Sequence, residues 1–138
     1  MVMIVSRRDA LTRMAALVAV AVIRPRVLSA SHFKPFEHPD PRPGITGEHV
    51  LPDEKLGKKK SVHEAFDAAR TYPAIFDGLF CACGCQGSMG HRSLLSCYES
   101  TQPINCGGCR EEGELAGKLA REGKTLAEIR QAVDQEFG

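Results

Sequence analysis

The chain has 138 residues, 43% hydrophobic and 25% charged, which is the composition of one modest globular domain with accessory segments and excludes a large multidomain enzyme. A formal net charge of +1 carries no excess of either sign, so neither nucleic acid nor an acidic surface is indicated as a partner.

The first element is MVMIVSRRDALTRMAALVAVAVIRPRVLSA, residues 1–30: a basic stretch with Arg7, Arg8 and Arg13, an apolar run from Met14 to Ile23, and small residues at its end. This is the layout of an export signal. The apolar run is ten residues, against the roughly 20 that a bilayer-spanning helix needs. Ser6, Arg7, Arg8 and Leu11 match a twin-arginine signal, with Ala10 where an aromatic usually stands. The expectation is a periplasmic or otherwise extracytoplasmic protein that uses the twin-arginine export machinery, with general secretion as the alternative and membrane contact only through an uncleaved signal. Without residues 1–30, which hold five basic residues and Asp9, the chain carries 13 Lys+Arg against 16 Asp+Glu, a net −3.

Residues 31–60 hold five of the eight prolines (35, 39, 41, 43 and 52) and little apolar periodicity, which predicts an extended tether. Its His32, His38 and His49 are candidate auxiliary metal ligands with nothing to fix their geometry.

From Ser61 the pattern is helical. "SVHE" reads as a capping box from Ser61 to Glu64, and Val62, Ala65, Phe66 and Ala69 form one apolar face, predicting a helix near 62–70. Pro73 ends it at Tyr72 and opens a short helix with Ile75, Phe76 and Leu79. The cysteine cluster "CACGC" follows. Ser88 is then expected to cap a helix running through His91, Leu94, Leu95 and Cys97, and ESTQPIN to be a loop. A helix over about 109–122, with Leu115, Ala116, Leu119 and Ala120, ends at Gly123. Thr125 and Glu128 form a second capping box for a last helix bearing Leu126, Ile129, Val133 and Phe137. No stretch reads as a strand, so residues 61–138 are expected to be an all-α bundle of four or five short helices organised around the cysteines. A domain so small, with no Trp, needs a covalent or metal staple.

The six cysteines are Cys81, Cys83, Cys85, Cys97, Cys106 and Cys109. If CACGC is extended, its three thiols face one side, and Gly84 lets the chain turn and gather them. CGGC adds two at a helix start, where amides and the dipole favour thiolate. Four thiolates complete a tetrahedral zinc site, and an iron–sulfur cluster also uses four cysteines. Six, with His91 as a further ligand and Met89 nearby, exceed the needs of one ion and suit several Cu(I) ions sharing sulfurs. Cu(I) is therefore the favoured occupant, with zinc or an iron–sulfur cluster as alternatives. Two other classes stay open. An even cysteine count in a small exported domain fits a disulfide-stapled structural or partner-binding module, although three bridges radiating from five residues leave little room for disulfide geometry. The CGGC pair alone would fit a thiol redox protein. Glu111, Glu112 and Glu114 read as favourable charge at a helix start, and no nucleophile–base pair stands out, so an enzyme is not expected.

The stretches YPAIFDGLFCACGC, GHRSLLSCY, CGGC and REGKTLAEIRQAVDQEFG are similar to the bacterial PCYCGC-motif family, exported proteins or lipoproteins without an established biochemical role. The resemblance covers about half the chain. It implies that the motif cysteines are Cys81, Cys83 and Cys85, the following histidine His91, the next cysteine Cys97, and the CxxC pair Cys106 and Cys109. Phe80 stands where the motif has proline and Ala82 where it has an aromatic, and neither change removes a ligand. With no cysteine before Cys81, no lipid anchor near the signal is expected. The expectation is an exported metal-binding protein that stores, buffers or delivers metal, with a metal-delivery protein as a candidate partner.

Overall fold

A computed structural model describes residues 37–138, so the expected signal over 1–30, with His32, lies outside the described residues. Among those described there are seven α-helices and one 3-10 turn, and no strand, as the all-α expectation requires.

Helix α1 is Lys60–Thr71, and Val62, Ala65, Phe66 and Ala69, the face predicted from their spacing, are all buried, together with Ala68. The Ser61–Glu64 capping box is not formed. The helix begins at Lys60 behind Lys59, which makes no side-chain cap, so Ser61 already lies inside it. Tyr72 leaves helical geometry and Pro73 opens α2, Pro73–Asp77, as a proline with a preset φ and no N–H to satisfy should.

The cysteine loop departs from expectation. CACGC is not extended: the Gly84 N–H reaches the Cys81 carbonyl at 3.1 Å, closing a turn, and Gly84 at φ 72° leads into α3, Cys85–Met89. The helix expected to run from Ser88 to Cys97 is two helices. Gly90 at φ 69° ends α3, and Ser93, with extended backbone, precedes α4, Leu94–Tyr98. Ser93 is held there because its hydroxyl donates to Asp77 at 2.9 Å, while the Leu94 N–H binds the Leu79 carbonyl at 2.8 Å. Within ESTQPIN, Pro103 lies in the first turn of a helix where a loop was expected, α5, Gln102–Asn105.

Helix α6 is Gly107–Arg121, and its buried residues are Cys109, Glu112, Gly113, Ala116 and Gly117. Leu115, Leu119 and Ala120, expected at the centre of the face, are only half-buried. The two glycines explain this rotation. A Cβ at Gly117 would stand 2.4 Å from the Ala68 Cβ, and one at Gly113 would stand 1.9 Å from the Tyr98 hydroxyl. Helix α6 therefore turns its smallest residues inward, Gly117 against Ala68 of α1, its main partner, and Gly113 against Tyr98, and turns the leucines aside. Helix α7, Leu126–Phe137, starts with the predicted capping box: the Glu128 N–H donates to Thr125 Oγ1 at 3.3 Å and the Thr125 N–H to Glu128 Oε2 at 2.8 Å.

The core centres on Tyr98, whose ring meets Phe66 and Phe76 edge-on at 4.8 and 5.2 Å, with Leu79, Leu94, Leu95, Ile129 and Val133 around it. Each fully buried side chain of this size contributes roughly 1.5–3 kcal/mol.

The expected tether is a docked segment instead. Val50 and Leu56 are buried in the core, the Leu51 N–H binds the Tyr98 carbonyl at 3.1 Å, and Arg130 of α7 donates to the Pro39 carbonyl at 2.7 Å. Its main anchor is Asp77, fully buried, which accepts from the Arg42 side chain at 2.9 and 3.1 Å and from the Arg42 N–H at 2.7 Å. Arg92 adds a 3.0 Å ion pair on the same carboxylate. Burial alone would raise the Asp77 pKa, but the hydrogen bonds from Arg42 and Ser93 outweigh it and hold the carboxyl below its usual range. Proline count and weak periodicity concealed this docking because its anchors are isolated residues, one arginine and two aliphatics, and not a repeating face.

Candidate metal centre

Three local structures deliver the thiols. The Cys81–Gly84 turn and the start of α3 place Cys81 and Cys85, α4 carries Cys97, and the first turn of α6 carries Cys109 with Cys106 just before it. Tyr98 ties this region to the core by donating its hydroxyl to the Cys109 carbonyl at 2.8 Å.

The sulfurs fall into two overlapping groups. Cys81, Cys85, Cys97 and Cys109, all buried, have Sγ atoms within 4.8 Å of one another, and Cys83, Cys106 and Cys109 form a second set on the same criterion. Within the first, Cys81–Cys109 is 3.3 Å and Cys85–Cys109 is 3.9 Å; in the second, Cys83–Cys106 is 3.0 Å. A tetrahedral ion with about 2.3 Å metal–sulfur bonds spaces its ligands roughly 3.8 Å apart, so small adjustments would close the inner group around one. All six cysteines are free thiols.

The alternate-residue argument for CACGC fails in detail. The turn sends Cys81 and Cys85 inward and leaves Cys83 exposed in the outer group. His91 is adjacent to the inner group without belonging to it: its Nδ1 lies 3.2 Å from Cys97 Sγ, where it can orient that sulfur as a second layer of contacts does for metal ligands. Met89 is 51% exposed. The described tether histidines, His38 and His49, go elsewhere. His38 packs its ring on Phe80 at 4.8 Å, accepts the Phe80 N–H at 3.1 Å and pairs with Asp134, and His49 pairs with Glu48.

Without metal, protons are shared unequally among the sulfurs. Hydrogen bonds with Cys109 and Cys97 hold the Cys81 thiol far below its usual range despite burial, while the bond to Cys81 is the main reason Cys109 is pushed far above it. Burial, followed by the charge on Cys81, raises Cys85. In the outer group burial pushes Cys83 up to about 12; Cys106 is also penalised by burial, but bonds from Cys83 and from the Cys109 and Gly108 amides bring it below its usual range. Cys81 is thus the favoured thiolate of the inner group, and a metal entering that group must displace the protons of its neighbours.

Glu112 is the site residue that sequence reasoning missed. It is fully buried, its Oε2 accepts the Ala82 N–H at 3.0 Å, and its Oε1 has no partner. Burial pushes its carboxyl up to about 8. It fixes the cysteine turn from below, whereas Glu111 is exposed and Glu114 pairs with Arg110 at 3.7 Å. The spacing signal was present, since Glu112 lies one helical step from Cys109 on the same face, but a glutamate in a first turn is ordinarily solvated.

Residues 30–138 match a family model described as a protein of unknown function with PCYCGC motif. The chain belongs to that family. No curated protein and no solved structure matches the chain. The match begins well before the first helix, as a docked segment would require, so in this PCYCGC-motif protein the segment at 37–59 is part of the family unit. The structure also gives a role to one departure from the motif. The Phe80 N–H is donated to His38, a bond that proline at that position could not make.

Proposed function

We propose that this PCYCGC-motif protein is an exported thiolate metal-binding protein that handles Cu(I) by storage, buffering or delivery, and not an enzyme. The supporting observation is the convergence of four buried thiols from three separate segments within 4.8 Å, with a second set sharing one of them. Six sulfurs in overlapping groups are more than one ion uses, and soft thiolates that can bridge favour Cu(I), which accepts low coordination, over zinc or an iron–sulfur cluster. The twin-arginine-type segment fits this reading, because that route would carry a chain whose thiols were already covered by metal in a reducing compartment.

The test uses the full chain, reduced and held under anaerobic conditions, titrated with Cu(I) and Zn²⁺ in competition, with thiol reactivity as a second readout. The expected result is more than one Cu(I) per chain, displacement of Zn²⁺, and protection of the thiols from a thiol reagent. Thiols that react equally fast with and without either metal would overturn the metal-binding proposal; protection by Zn²⁺ that Cu(I) cannot displace would overturn the copper assignment alone.

A further inference from the structure

We infer that the two groups of thiols are unlike sites with different tasks: Cys83, Cys106 and Cys109 form an entry port that takes a soft metal ion from an external thiol complex and passes it, through the shared Cys109 sulfur, to the buried site of Cys81, Cys85, Cys97 and Cys109. The inference rests on the metal-binding reading above and adds direction to it.

Accessibility supplies the first argument. Cys81, Cys97 and Cys109 are fully buried and Cys85 is 2% exposed, so no donor molecule can reach the inner sulfurs while the fold is intact. An ion that enters the already folded chain must therefore come through some outer ligand. Cys83 is exposed and Cys106 partly so, and they are the outer members of the one other thiol group. That group offers three sulfurs, which leaves a fourth position open for a ligand that arrives with the ion, as metal sites engaged in exchange do.

Continuity supplies the second. Cys109 belongs to both groups and stands 3.3 Å from Cys81 and 3.9 Å from Cys85. An ion moving inward can therefore keep one metal–sulfur bond throughout and exchange the others singly, and never needs to be released as a bare ion into an apolar interior.

A third observation shows that the outer position is shaped. A Cβ at Gly108 would stand 2.7 Å from Cys83 Sγ, so that sulfur lies directly against the backbone of the first turn of α6. Only glycine at position 108 leaves it there.

The exchange involves no change of oxidation state. For each step, a metal–sulfur bond to the external thiolate breaks, a bond to a protein sulfur forms, and the proton of that protein thiol goes to the departing thiolate or to water. The outer pair therefore serves as ligand and not as reductant, although its 3.0 Å separation makes oxidation to a disulfide the competing outcome.

The experiment loads the reduced full chain with Cu(I) presented as its glutathione complex, under anaerobic conditions, following uptake by the Cu(I)–thiolate absorbance and retention by challenge with a chelator. Cys83→Ser, which removes one of the port's three sulfurs, is expected to slow uptake by at least about 10-fold, the least that loss of even an outer-shell partner costs a metal site, and to lose the chelator-labile fraction. Gly108→Ala keeps every thiol but displaces the Cys83 sulfur, and is expected to slow uptake in the same direction. Cys85→Ser, in contrast, loses the chelator-resistant fraction. The port is overturned if Cys83→Ser and Gly108→Ala load at the wild-type rate, if all three variants lose both fractions equally, or if uptake in the wild type leaves Cys83 and Cys106 joined as a disulfide. Failure of the wild-type protein to take up any Cu(I) would instead overturn the copper reading on which the port rests.

Discussion

The paired helices α1 and α6 and the cysteine-bearing stretch 81–98 are stabilised in opposite ways. The helix pair uses close approach: Ala68 on one side, Gly117 on the other, and an aromatic cluster against Gly113 beside them. The cysteine stretch uses point anchors: two five-residue helices, a buried carboxyl group on either side in Asp77 and Glu112, and free sulfurs. A surface of small residues tolerates no added volume but needs no partner, whereas a region held by polar anchors depends on each one and would gain most from a metal held by its thiols. The two regions should therefore fail to different perturbations.

Loss of Asp77 should have the largest effect. Asp77→Ala leaves Arg42, Arg92 and Ser93 without their common acceptor. Breaking a buried pair costs about 3–5 kcal/mol; because both guanidiniums are partly exposed, about 2–4 kcal/mol is the expected loss. Denaturant melts would measure it, and limited proteolysis should show cleavage within 37–59 and 81–98, the segments Asp77 anchors, while α1 and α6 stay intact. Uniform cleavage across the chain would mean that the regions are not separable.

Gly113→Ala acts at the border of the two regions, where α6 packs on Tyr98. The new methyl group would meet Tyr98, whose ring cannot retreat because Phe66 and Phe76 bracket it. Overpacking of this kind costs about 1–3 kcal/mol, and the thermal midpoint should fall. Since Tyr98 also donates to the Cys109 carbonyl, the same change should weaken metal retention. A variant with an unchanged midpoint would show that α6 has room to move.

Glu112 gives the cysteine region a pH signature in the reduced, metal-free protein. Its folded-state carboxyl is raised to about 8 by burial from 4.5, with Cys81, Asp134 and Cys106 adding repulsion. A raised folded value means that the native state holds its proton more tightly than the unfolded chain. The contribution is therefore complete below about pH 4.5 and is lost progressively up to about pH 8. Glu112→Gln removes this ionisation, so the difference in stability between pH 5 and pH 9 should shrink by about 1–3 kcal/mol, near one pKa unit's 1.36 kcal/mol or a small multiple of it. Equal slopes for both proteins would assign the pH dependence to the thiols.

The same contrast explains what could be read from sequence. Periodic elements were legible: the α1 face, the Pro73 break and the Thr125 box all appear where spacing places them. The gathering of the cysteines was legible too, from their density, while disulfides and redox chemistry stayed open on the same density. Their division into two groups was not, because it depends on the Gly84 turn, which reverses the alternation that an extended CACGC would have. Gly90 and Ser93 likewise split a helix whose apolar spacing was sound. Such point constraints act through tertiary partners, Asp77 for Ser93 and Tyr98 for Gly113, and leave no period in the chain.

The smallest effect separates two sequence signals of the same form. Thr125 and Ser61 each stand three residues before a glutamate, yet only Thr125 accepts the N3 amide. Thr125→Ala should lower stability by about 1 kcal/mol, the usual worth of an N-cap, through α7 alone. Ser61→Ala removes nothing that caps α1 and replaces a helical serine by the best helix former, so its effect should be near zero or slightly stabilising, within about 0.5 kcal/mol. Denaturant midpoints of the two variants decide the matter. An equal loss would place a working cap at Ser61 and move the start of α1 to Val62, whereas the expected inequality keeps that start at Lys60, next to the His63–Gly57 bond of 2.8 Å that joins the helix to the docked segment.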